Sequence, residues 1–291
     1  MGLQHAAYDV PPPESGTQGS GLCSTSDKSR MKANAEGPKR ISVAGCPVDR
    51  ISFEEVVREL CQRIERKQRT HVVFLNAAKV VRYRQNPELR AVIERSDMLL
   101  ADGLPIVWAS KLRGTPLPGR VNGTDLMERM LAESAARGYR VFLLGARPDV
   151  LQRSVAELRR RHPELQIAGV RNGYFGELDE PVIIRQINES RTDVLLLGMS
   201  TPKKELWGDR HLSSLSVAVC QGVGGSFDTL AGVVKRAPLW MQRCGLEWFH
   251  RLLQEPRRMW RRYLETNSAF IWLVLADLAT SWKERLASSK N

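Results

Sequence analysis

The chain has 291 residues, 42% hydrophobic, which suffices for one sizeable core in one or two domains. Its net charge is +12, and half of it lies between Lys235 and Arg262, where eight Lys or Arg face two Glu. Charge clustered in this way implies an anionic partner: a lipid headgroup, a phosphorylated substrate or nucleic acid. The five cysteines form no CxxC pair and their odd count fits a reducing compartment, so neither a zinc site nor a disulfide framework is expected.

Residues 1–39 are rich in Pro, Gly, Ser and charge, with no apolar core of a secretory signal, and are expected to be a disordered tail. From Ile41 short apolar runs alternate with amphipathic helices. Ile41–Ala44 reads as a strand. Phe53–Arg66 reads as a helix, with Ser52 as its N-cap and two acidic residues in its first turn. His71–Leu75 is a strand of β-branched and aromatic residues. Helices are predicted over Ala77–Arg84 and Pro87–Arg95, then a short buried strand over Met98–Leu100 that ends at Ala101-Asp102-Gly103. Leu104–Leu112 and Thr124–Arg137 read as helices, the second stopped by Gly138. Tyr139–Leu144 is read as the central strand, closed by Gly145. A helix follows at Pro148–Arg161, with proline at its first position. Strands at Ile167–Val170 and Val194–Leu197 flank a helix over Glu180–Asn188. Lys203–His211 is a helix and Val217–Cys220 the last strand.

This alternation predicts an α/β fold with a Rossmann-like parallel sheet covered on both faces. The α/β domain is placed at residues 40–234, and a basic helical appendage at 235–291. No run is long enough to span a membrane; Ala269–Ala276 is the best candidate and is far too short. The appendage carries Trp240, Trp248, Phe249 and Trp260 among its arginines, a composition suited to an anionic membrane surface. A cytoplasmic protein held on the inner face of the membrane is therefore expected.

Ligands of such sheets bind beyond the carboxyl ends of the strands. That rule selects Asn76, Asp102, Gly145, the segment Gly198–Lys204, and the glycine turn Gly222, Gly224 and Gly225. Asp102 has two readings: a carboxylate at a crevice mouth that takes a proton from a hydroxyl, or a turn aspartate capping the next helix. Asn76 can accept and donate together, which suits a pair of ligand hydroxyls, or it caps a helix. Arg120 can form bidentate contacts with an anion, or it is a surface arginine in a loop. The turn Gly222-Val223-Gly224-Gly225 lets backbone N–H groups approach a phosphate. It is not the GxGxxG fingerprint, which disfavours a dinucleotide-dependent dehydrogenase. Arg251, Arg258 and Arg261, seven and three residues apart, share one helix face. They either meet a ligand or form a solvated or lipid-facing stripe.

Several of these motifs, in this order, resemble the WecG/TagA/CpsF glycosyltransferases. The similarity runs from about Ile41 to Tyr263, about three quarters of the chain. It is most specific in Arg236-Ala237-Pro238, Gly245-Leu246-Glu247-Trp248, Arg251-Leu252, Glu255-Pro256, Arg258 and Arg261-Arg262-Tyr263. The resemblance implies an inverting transfer from a UDP-sugar donor to a sugar carried on a polyprenyl diphosphate, feeding a surface polysaccharide. It implies Asp102 as the general base, Asn76 as an orienting residue, and Arg120 with Arg251, Arg258 and Arg261 on the leaving diphosphate. No metal or other cofactor is implied, and no DxD pair is present to hold one. Two positions depart from the family pattern. Phe74 stands where threonine is usual, which removes a hydroxyl. Lys204 stands where glutamine is usual, which adds a charge and is expected to shift recognition of donor or acceptor. Two other readings compete: a noncatalytic nucleotide-sugar or lipid-binding protein of the same fold, and a nucleic-acid binder. The second lacks any recognisable nucleic-acid module.

Overall fold

The structure is a computed structural model that describes residues 38–254 and 256–288, without the side chains of Arg243, Arg251, Arg258, Met259, Arg262, Tyr263 and residues 283–288. The expected tail falls almost wholly outside the described residues. The chain begins with a hairpin of β1 (Arg40–Val43) and β2 (Cys46–Asp49). Then come α1 (Phe53–Glu65), β3 (Thr70–Leu75), α2 (Ala77–Gln85), α3 (Pro87–Arg95), β4 (Met98–Ala101), α4 (Leu104–Leu112) and α5 (Gly123–Arg137). The second half holds β5 (Arg140–Gly145), α6 (Pro148–Arg161), β6 (Gln166–Arg171), α7 (Glu180–Glu189), β7 (Val194–Gly198), α8 (Lys203–His211) and β8 (Val219–Gly222). It closes with α9 (Ser226–Leu230), α10 (Leu239–Arg243), α11 (Glu247–Gln254) and α12 (Pro256–Ser288).

Strands β3 to β8 form one six-stranded sheet in the order β4-β3-β8-β7-β5-β6, and every neighbouring pair is parallel. The α/β class is as expected. Period-2 alternation divides each strand between two layers. Val72 and Phe74 of β3 enter the core beneath α1, α5 and α6, while Val73 and Leu75 face α2, α3 and α4. In β7, Val194 and Leu196 join the first layer, and Leu195 and Leu197 pack on α7 and α8. The local signals hold. Ser52 and Glu55 form a reciprocal capping box, with Ser52 N–H to Glu55 Oε2 at 2.9 Å. Gly138 ends α5 in the left-handed region, φ 72°.

Two expectations are corrected. Ile41–Ala44 was expected to join the parallel sheet, but the strand there pairs antiparallel with β2 instead. Ala44 and Gly45, with φ of 51° and 74°, form the tight reversal such a hairpin needs. Asp49 then protects the free edge of β4, because its Oδ2 accepts from Leu99 N–H at 2.8 Å and its Oδ1 from Arg40 at 2.9 Å. The second correction concerns β5, which lies fifth of six; β8 and β7 hold the centre. The crossover from β4 to β5 passes over three intervening strands, a jump that no local pattern encodes.

The C-terminal helix α12 packs on the α2 and α4 layer. Phe270 is buried there with Ala269, Leu273 and Val274 against it. Burying that ring contributes about 1.5–3 kcal/mol. Asp277 accepts from Ala44 N–H at 3.2 Å and pairs with Arg113, so one end of the helix is also fixed by polar contacts.

Where β5 and β7 end, Gly145 faces Gly198 at φ +139°, and a Cβ on Gly145 would lie 2.4 Å from the Gly198 carbonyl. Gly145→Ala is therefore expected to cost at least about 1–3 kcal/mol through backbone strain. Urea unfolding measures it, and an unchanged midpoint would show that this turn can yield.

Candidate active site

The carboxyl ends of β3, β4, β7 and β8 open into a crevice of about 660 Å³. Register brings its first two residues together. Leu75 lies opposite Ala101 in the β3–β4 ladder, so Asn76 and Asp102 leave adjacent strand ends. Asp102 N–H donates to Leu75 O at 2.8 Å. The next loop is stitched alongside, with Val121 N–H to Ala101 O at 2.7 Å. Asp102 Oδ1 then accepts from Gly123 N–H at 3.0 Å, at the first residue of α5. Burial raises the Asp102 pKa; the Gly123 N–H, Lys79 and Arg120 oppose that rise, and Glu247 adds to it. Asp102 thus caps no helix of its own. It is a partly buried carboxylate at the wall of the crevice with its proton affinity raised.

Asn76 does cap a helix: its Oδ1 accepts from Lys79 N–H at 3.0 Å at the start of α2. It also lines the crevice, and its amide nitrogen has no partner among the described residues. Phe74 packs its ring within 3.5 Å of where a Cβ on Gly123 would lie. It therefore buttresses the turn that holds Asp102.

The glycine turn differs from its expected form. Val223 and Gly224 N–H both turn back to Leu197 O, at 2.9 and 3.1 Å, and Ser226 N–H bonds to Val223 O. Only Gly225 N–H in this turn lacks a partner among the described residues. What the glycines give is room: a Cβ on Gly222 would lie 3.0 Å from Lys204 Cδ. Lys204 runs along that space. Its Nζ donates to Thr201 Oγ1 at 2.6 Å and pairs with Glu205 Oε1 at 3.0 Å. The same Glu205 oxygen takes Lys79 Nζ at 2.7 Å. Burial, with Lys79 adding to it, pulls the Lys204 ammonium down to about 8. Burial pushes Glu205 up, but the two lysines outweigh it and hold the carboxyl down to about 2. Lys79 had no signal in the sequence beyond being a lysine beside two valines.

Arg120 lines the crevice, with its Nη1 2.5 Å from Glu247 Oε2 on α11. Arg236 is also there, paired with Asp125 and 3.8 Å from Glu247 Oε1. Arg236 was noted only as part of a motif; its place in the site comes from the fold. The appendage thus supplies one wall, completed by Trp248, His250 and Thr266. The three appendage arginines expected to join Arg120 on a diphosphate are not all placed there. Arg261 is exposed on α12, pairs with Glu265 at 3.2 Å and does not line the crevice. The side chains of Arg251 and Arg258 lie outside the described residues. Among the described residues no group of three His, Cys, Asp or Glu is placed to hold a metal ion, and no helix is long and apolar enough to cross a membrane.

A parallel sheet with a carboxylate and several cations at its carboxyl edge suits transfer of a phosphate-activated group, and comparison with known proteins names the group's class. The family model described as "Glycosyl transferase WecG/TagA/CpsF family" matches residues 41–284. This chain belongs to that family. It is a glycosyltransferase. Among curated proteins it is similar to the N-acetylglucosaminyldiphosphoundecaprenol N-acetyl-beta-D-mannosaminyltransferase of Bacillus spizizenii, 37% identical over 180 residues, or 62% of this chain and 69% of the relative. The protein of that name from Bacillus subtilis is 36% identical over 175 residues, or 60% of this chain and 66% of the relative.

Proposed function

We propose that this glycosyltransferase moves a sugar from a UDP-sugar to a saccharide carried on a polyprenyl diphosphate, with inversion, in the assembly of a surface polysaccharide. The observation that carries the reading is Asp102 on the crevice wall, held by Gly123 N–H at 3.0 Å and facing a cationic set that includes Lys204, Arg120 and Arg236. In the proposed step the acceptor hydroxyl gives its proton to Asp102 as its oxygen attacks the anomeric carbon. The bond from that carbon to the diphosphate breaks, and the electron pair leaves with UDP. The arginines and Lys204 stabilise the departing charge, by analogy with the roughly 3 kcal/mol of a single oxyanion-hole donor. The names of the Bacillus relatives support the lipid-linked acceptor.

The appendage, residues 235–291, is proposed to serve both as a wall of the site and as the contact with an anionic membrane at its inner face. On α12, Trp260, Leu264, Ile271, Leu275 and Trp282 are exposed at spacings of four and seven, a single helix face. Trp240, Phe249 and Leu253 are also exposed, on α10 and α11. Arginine and tryptophan together suit the headgroup boundary.

A donor screen tests the reading. The purified chain, a panel of UDP-sugars and a short saccharide on a lipid diphosphate are expected to release UDP with one donor. Lys204→Gln is expected to change which donor is preferred or how well it is used. UDP binding without release from any pairing would instead point to a different acceptor.

A further inference from the structure

We propose that Glu247 is the resident occupant of an anion seat formed by Arg120 and Arg236, and that a diphosphate takes the seat by displacing it. The identity of that diphosphate as part of a nucleotide donor rests on the function proposed above.

The geometry carries the inference. One carboxylate lies between two guanidinium groups. Its Oε2 is 2.5 Å from Arg120 and its Oε1 is 3.8 Å from Arg236. Both arginines and Glu247 line the same crevice as Asp102. A pair of guanidiniums bridged by two oxygens is the arrangement a phosphate or diphosphate meets, with more negative charge than one carboxylate brings. The two arginines are held by different means. Arg120 precedes Val121, whose N–H stitches that loop to β4 at 2.7 Å. Arg236 is kept in place by Asp125, which is separate from Glu247. Removing Glu247 from between them therefore leaves Arg236 oriented.

Displacement is also mechanically simple. Glu247 is the first residue of α11, just after Gly245 at φ +73°. Gly245 is held close to α4, since a Cβ there would meet Leu104 at 2.5 Å. The backbone can stay docked while the glutamate changes rotamer, because the Glu side chain has its own rotatable bonds. With the seat empty of ligand, the carboxylate prevents two partly buried guanidiniums from facing each other uncompensated. With ligand present, the phosphates take over that role.

The test is equilibrium binding of UDP, inorganic pyrophosphate and uridine to the full chain by calorimetry. Glu247→Gln keeps the shape and removes the charge. It is expected to tighten UDP and pyrophosphate about tenfold, the equivalent of about 1.4 kcal/mol, and to leave uridine unchanged. Arg120→Gln and Arg236→Gln are each expected to weaken both phosphates, and Arg120→Gln, which removes the closer partner of Glu247, to cancel the gain in the double variant. Unchanged or weaker UDP binding in Glu247→Gln would overturn the proposal, as would a gain that survives Arg120→Gln. So would a chain that binds neither phosphate in any form. If Glu247→Gln does not fold, judged by its thermal transition, Glu247→Asp, too short to reach both arginines, must show the same direction. Tighter pyrophosphate without sugar transfer to any lipid-linked acceptor leaves the seat standing and removes the proposed acceptor. Transfer with phosphate affinity unmoved does the reverse.

Discussion

On the function proposed above, Asp102→Asn is expected to lower the rate of sugar transfer about 10²–10⁴-fold, the range for removal of a positioned general base, and to leave UDP affinity near that of the parent. Asparagine keeps the shape and can still accept from Gly123 N–H, so the loss reports proton acceptance and not a collapsed loop. UDP release with donor and acceptor, followed in single turnover, measures it. The pH profile supplies a second check. On the proposed role Asp102 acts only when ionised, and burial raises its pKa above the ordinary aspartate value, against the opposing pull of Gly123 N–H, Lys79 and Arg120. The acid limb of kcat/KM is therefore expected above the ordinary aspartate range, with rate lost as pH falls through it and Asp102 takes up a proton. A variant that keeps its rate within tenfold would move the base elsewhere, first to Asp228, which lines the same crevice.

Glu205→Leu destabilises the fold by about 3–5 kcal/mol, the usual cost of removing one partner from a buried ion pair. Glu205 and Lys79 are 2% and 5% exposed, and Lys204 shares the same oxygen. Without the carboxylate, two ammonium groups face each other beneath the crevice. The double variant Lys79→Met with Glu205→Leu is expected to recover only part of the loss, since one ammonium is then replaced by apolar volume while Lys204 still lacks its carboxylate. Urea unfolding measures both, and a single variant within about 1 kcal/mol of the parent, the scale of an exposed pair, would show that water reaches the trio. Acid sensitivity follows with a definite sign. The folded-state pKa of Glu205 is held down to about 2 from 4.5, so its contribution is complete above pH 4.5 and is lost as pH falls toward about 2. In Glu205→Leu this component of the acid transition is absent. The same substitution frees Lys204 from one of its two anchors, which links stability of the trio to the shape of the site.

The helices and strands were legible in the sequence because their signals are local. Pro87, Leu104 and Pro148 open helices where the pattern placed them, and Arg95, Leu112 and Arg161 close them. Continuous apolar runs such as His71–Leu75 and Val194–Leu197 reported burial on both faces, hence a parallel sheet. Asp102 was legible for the same reason: it directly follows a buried strand and precedes a glycine, and such positions fall at the mouth of the crevice. The glycine turn was legible as a turn but not in its use. Spacing shows that the backbone can bend, whereas the partners of its N–H groups depend on Leu197, which lies in another strand. The helical spacing of Arg251, Arg258 and Arg261 likewise named a common face without naming what that face meets, and Arg261 turns to Glu265.

The element types, their caps, the α/β class and the carboxylate at the end of β4 follow from local sequence, because each is written in residues within one or two turns of one another. The strand order, the hairpin guarding β4 and the composition of the charged wall arise only in the folded chain. Lys79 meets Glu205 across 126 positions, and Arg120 meets Glu247 across 127. Pairs that distant leave no period in the chain. They are set by which strands the crossovers make neighbours and by the docking of Phe270 that brings the C-terminal helices over the crevice.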